Sequence, residues 1–65
     1  MIEIKRWDTG EVIYSGKYES IKDCLESGVS KGISFFRAKL NDAKLNGAKL
    51  NGAKLNGAKL NGAKL

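Results

Sequence analysis

Ala38-Lys39-Leu40-Asn41-Asp42 is followed by Ala43-Lys44-Leu45-Asn46-Gly47, and the same five residues then recur without a slip to Ala63-Lys64-Leu65. A fixed period means that one structural unit is repeated, and that each unit buries its apolar side chains against its neighbours. An α-helix turns by about 100° per residue, so a step of five sets successive leucines about 140° apart and spreads them round the whole cylinder. Glycine at Gly47, Gly52, Gly57 and Gly62 would cost a helix interior a further ~1 kcal/mol each. A flat strand fails as well, because side chains alternate with period two and an odd repeat sends successive leucines to opposite faces. The chain must bend once per pentad.

Within a pentad, Ala and Leu lie two positions apart and point to one side of a short extended segment, while the Lys between them points to the other. Asn-Gly is then the bend, a pair that tolerates positive φ. Four such bends close a square. The run closely resembles the pentapeptide-repeat family, whose loose consensus of Ala, Asp or Asn, Leu and two variable residues is met by Ala38-Lys39-Leu40-Asn41-Asp42 and its successors. That resemblance implies a right-handed quadrilateral β-helix of four pentads per coil, with each leucine and the alanine two before it facing inward. The lysine departs from the family, in which the place before leucine is most often Asp or Asn.

The register extends back one pentad, with Ile33 in the alanine place and Phe35 in the leucine place of Ile33-Ser34-Phe35-Phe36-Arg37. Residues 1–32 read as an N-terminal cap. Ile2 to Trp7 and Glu11 to Ser15 are β-prone runs of interleaved apolar and polar residues separated by Asp8-Thr9-Gly10, a hairpin signal. Ser20 followed by Asp23 resembles a capping box, and Ile21, Cys24, Leu25 and Val29 then fall at helical spacing before Gly32. The expected fold is mainly β: about 1.6 coils of β-helix over 33–65, preceded by a hairpin over 2–15 and a short helix over about 20–30, all in one structural domain.

The net charge of +5 is unevenly placed. Residues 1–32 carry five basic and six acidic side chains, whereas residues 33–65 carry seven basic ones against Asp42 alone. The cationic array argues against the acidic DNA mimicry by which some pentapeptide-repeat proteins bind DNA gyrase, which is the lowest-ranked reading. With no histidine and one cysteine, Cys24, the usual transition-metal sites and nucleophile pairings are lacking. No triad, phosphate loop or paired-carboxylate site can be assembled. The expectation is a non-catalytic chain without catalytic or metal residues, cofactor or small-molecule substrate. The lone cysteine and the lack of a secretory leader place it in the reducing cytoplasm. No stretch approaches the about 20 apolar residues of a membrane span, so no membrane partner is expected.

Two candidate surfaces remain. Leu50, Leu55, Ala58, Leu60, Ala63 and Leu65 would form the last layer of the coil. An uncovered layer of this kind is a template for pairing, so the expectation is a homodimer stacked end to end at its C-terminal coils. The second surface is the outward lysines. Residues 20 apart stack in four-pentad coils, placing Lys39 over Lys59 and Lys44 over Lys64 as an anion-binding face for nucleic acid or other anionic surfaces, weakened by salt. The plainer reading of these lysines is a solvated face that keeps a β-rich array soluble. Trp7, Tyr14 and Tyr18 read as packing between cap and first coil, Phe36 as lying under the helix, and Cys24 as a buried apolar residue.

Overall fold

The computed structural model describes residues 1–64; Leu65 lies outside the described residues. Two strands and one helix come first: β1 (Ile2–Lys5), β2 (Val12–Gly16) and α1 (Ile21–Ser30). The strands pair antiparallel, Ile2 opposite Gly16 and Ile4 opposite Tyr14, with a bulge that leaves Ile13 as the extra residue before Lys5 meets Val12. The bulge bends the hairpin. Beyond it the chain leaves β2 and pairs instead with the array: Arg6 bridges Ala38 antiparallel, the Lys39 amide donates to the Lys5 carbonyl at 2.7 Å, and the Trp7 amide to that of Arg37 at 2.8 Å.

Ser20 caps α1 from an extended conformation, its hydroxyl accepting from the Asp23 amide at 3.2 Å. The other end is a Schellman motif. Gly32 takes φ +77°, its amide donates to Val29, and the Ile33 amide reaches back to Gly28 at 3.0 Å. This stop delivers Ile33 to the start of the array. Helix α1 buries Cys24, Leu25 and Gly28. Gly28 is required there because a Cβ would run into the Phe35 ring.

From residue 33 onward the chain bends once per pentad. Each bend is closed by the amide of an alanine donating to the carbonyl three residues earlier, as in Ala48 to Leu45 at 2.9 Å and Ala58 to Leu55 at 3.0 Å. Gly47, Gly52, Gly57 and Gly62 have φ of 72–75°, whereas the asparagines before them do not. Positive φ at the second central residue alone makes these type II turns. Arg37 and Asp42 occupy the glycine place in the first two bends, at φ 57° and 61°.

After four bends the chain runs alongside itself. Parallel bridges join Ser34 to Lys54, Lys39 to Lys59 and Lys44 to Lys64, each 20 residues apart. The hydrogen bonds alternate in direction: the Leu40 amide donates to the Lys59 carbonyl at 3.0 Å, and the Lys59 amide to that of Ala38 at 3.0 Å. Residues 33–52 thus form a first layer and 53–64 a partial second one. These contacts are single-residue bridges because only three residues lie straight between turns. The chain is mainly β with one short helix. Its buried core is Ile4, Cys24, Leu25, Phe35, Ala38, Leu40 and Leu45, drawn from hairpin, helix and first layer. Each such large side chain contributes about 1.5–3 kcal/mol on burial.

Candidate functional site

Along the array the inward residues follow a gradient of exposure. Leu40 and Leu45 of the first layer are 2% and 1% exposed, while Leu50, Leu55 and Leu60 are half-buried, with Ala58 and Ala63 beside them. Of the residues expected at an association surface, Leu50, Leu55, Ala58 and Leu60 pack against the core, Leu50 from the first layer and the others from the second; Ala63 is half-buried and Leu65 lies outside the described residues. Helix α1 and the hairpin cover the upper side. On the lower side, the Ala48 carbonyl and Leu50 amide have no partner among the described residues, although their equivalents at Ala43 and Leu45 bond to Lys64.

All six array lysines are exposed. The bridges set Lys39 beside Lys59 and Lys44 beside Lys64 on consecutive pentads, with backbones about 4.8 Å apart. Asp42 occupies the bend between the two pairs and lies against Gly62.

The hairpin tip builds a second cluster. The Trp7 indole N–H reaches past the first layer to donate to the Gly57 carbonyl at 2.7 Å, so one residue ties both layers to the hairpin. Lys59 Nζ stands 4.2 Å from the centre of the same ring. The Arg37 guanidinium lies 5.7 Å from Trp7 and 4.9 Å from Phe36, with Arg6 5.4 Å from Phe36. Both arginines donate to Asp8, at 2.7 Å from Arg6 and 2.9 Å from Arg37. The hydrogen bond from Arg6, reinforced by that from Arg37, holds the Asp8 carboxyl well below the usual carboxylate range. Phe36 is therefore not under the helix. It is 42% exposed, because Phe35 fills the space beneath Gly28 and the next residue, at a bend, turns outward.

Two further arrangements escaped sequence reasoning. The Glu26 carboxylate accepts from the Lys49 amide at 2.6 Å, standing where a layer above would supply a carbonyl. A groove of about 700 Å³ beside it is lined by Glu26, Val29, Ser30, Lys49 and Asn51. Between the hairpin and the helix, the hydroxyls of Tyr14, Tyr18 and Ser27 form a triangle with sides of 2.8–3.0 Å. Tyr14 meets Phe35 edge-on at 6.3 Å. Hydrogen bonds from Ser27 and Tyr18, with the Lys31 ammonium nearby, pull the Tyr14 hydroxyl down to about 8. Cys24 is fully buried, which raises its thiol. Among the described residues no group of acids and cysteine could hold a metal ion, and no helix is long and apolar enough to cross a membrane.

A family model described as "Pentapeptide repeats (8 copies)" matches residues 33–65. The chain belongs to the pentapeptide-repeat family. The match covers the whole five-residue array, and the 20-residue return fits it. For a chain of this family the repeats point to a scaffold or interaction protein. No curated protein and no solved structure matches the chain.

Proposed function

We propose that this pentapeptide-repeat chain is a non-catalytic scaffold, a right-handed quadrilateral β-helix under a hairpin-and-helix cap, that self-associates through its lower layer. The observation that carries the reading is the partial exposure of Leu50, Leu55 and Leu60, against the full burial of Phe35 and Leu40, which stand one coil above Leu55 and Leu60. A second copy supplies what that layer lacks. In the first layer the leucine amides and alanine carbonyls point downward, as Leu40 and Ala38 do toward Lys59. A copy related by a two-fold axis presents the same groups, so leucine N–H meets alanine C=O in an antiparallel join.

This join sets lysines opposite lysines, and like charges directly opposite one another destabilise a pair. Association should therefore strengthen as salt screens the repulsion. The second reading, an anion-binding face on Lys39, Lys59, Lys44 and Lys64, is favoured by their pairwise stacking and carries the opposite sign: binding to duplex DNA should weaken steeply with salt. Sedimentation equilibrium over a concentration series, with reductant to exclude a Cys24 crosslink, separates the two. Dimer that increases with salt and is lost in Leu60→Asp supports the scaffold. A monomer at every concentration and salt overturns it, and DNA binding at low salt would then favour the second reading.

A further inference from the structure

The four Asn-Gly bends embody one chemistry in four surroundings. Leu45-Asn46-Gly47-Ala48 is repeated to the letter at Leu50 to Ala53, Leu55 to Ala58 and Leu60 to Ala63, so intrinsic reactivity is the same at every one. Asn-Gly is the sequence most open to self-deamidation, because no side chain shields the glycine nitrogen. That nitrogen, as it loses its proton, attacks Asn Cγ; the Cγ–Nδ2 bond breaks, and ammonia leaves with the proton. Water then opens the five-membered imide at either carbonyl, giving aspartate or isoaspartate.

The fold holds this reaction back, unequally. A type II turn keeps ψ of its first central residue near about +120°, which carries the next nitrogen away from the Asn side chain. Ring closure therefore requires the bend to open. At Asn56 and Asn61 the bend is pinned from above: the Asn56 carbonyl accepts from the Arg37 amide and the Asn61 carbonyl from the Asp42 amide, both at 2.9 Å. Gly57 is held further by the Trp7 indole. At Asn46 and Asn51 no such bond is made among the described residues, and Asn51 lies on the rim of the groove beside Glu26.

We infer that Asn46 and Asn51 are sites of spontaneous deamidation, and that Asn56 and Asn61 are protected versions of the same site. Each event puts a carboxylate beside an array lysine and lowers the net charge of +5 by one. The isoaspartate product also adds a backbone atom to a pentad whose pairing depends on exact length. One or two net hydrogen bonds at the pinned bends slow closure there about tenfold.

The test is to age the whole chain at mildly alkaline pH and at a concentration low enough to keep it monomeric. Each site is followed by electron-transfer fragmentation of the intact protein, since cleavage at lysine releases identical peptides. Asn46 and Asn51 should convert about tenfold faster than Asn56 and Asn61, and all four should converge in denaturant. Trp7→Phe should speed Asn56 relative to Asn61. Equal rates in the folded chain, or faster conversion at Asn56 and Asn61, would overturn the inference.

Discussion

Stacked lysines give the array a stability that rises with salt, and the size of the effect follows from its geometry. Lys39 lies beside Lys59 and Lys44 beside Lys64 in parallel bridges. With ammonium groups about 5 to 7 Å apart in water, each pair repels by about 0.6 to 0.8 kcal/mol before screening. The Debye length falls from about 30 Å at about 0.01 M salt to about 3 Å at about 1 M, which removes most of that repulsion. Two pairs together should therefore yield about 1 kcal/mol of stability across this range, or roughly 4–8 °C in Tm for a domain of this size. Replacing Lys39 and Lys44 by glutamine removes both repulsions while leaving Lys59 on the Trp7 ring. The double variant should melt higher than the parent in dilute salt, and the gap should close near about 1 M. Circular dichroism melts of both proteins at a dilute, fixed concentration read it directly. A gap that is absent in dilute salt, or that widens with salt, would refute the reasoning.

Three further outcomes are expected. Gly28→Ala should destabilise by about 1 kcal/mol in urea titrations, because overpacking against Phe35 (about 1–3 kcal/mol) exceeds the gain in helix propensity (about 1 kcal/mol). Leu45→Ala should cost about 2–5 kcal/mol, and Leu60→Ala distinctly less in the monomer, since only the first is fully buried. Tyr14 titrates near 8 in the folded chain and at about 10 when unfolded. Between those values the unfolded state binds more protons, so stability should rise with pH through this window and the rise should vanish in Tyr14→Phe.

The array was legible because five identical residues leave few conformations that bury every leucine. The type II geometry was not, since Asn-Gly suits several turns and only the φ values distinguish them. Ser20 and Gly32 marked the ends of α1 locally, through short-range hydrogen bonds. The hairpin-tip cluster and the helix contact to Lys49 were hidden for the opposite reason: Trp7 and Gly57 are 50 residues apart, and Glu26 and Lys49 are 23 apart. Arg37 and Asp42 did carry a signal, each being a side chain where later pentads have glycine. Phe36, expected under the helix, lies outside it because the space beside Gly28 is taken by Phe35, one residue earlier.

The return after 20 residues has a consequence for how such an array changes length. Every pentad from Ala43 to Gly62 is the same, so adding or removing one leaves the hairpin facing identical chemistry: another glycine carbonyl arrives beneath Trp7 and another lysine beside its ring. The hairpin cannot count pentads. A gain or loss of one unit is felt only at the far end, where the last residues turn to a different side of the array. Repeat number can drift by single units with the hairpin contacts undisturbed, and the direction in which the array presents its end is what such drift would alter.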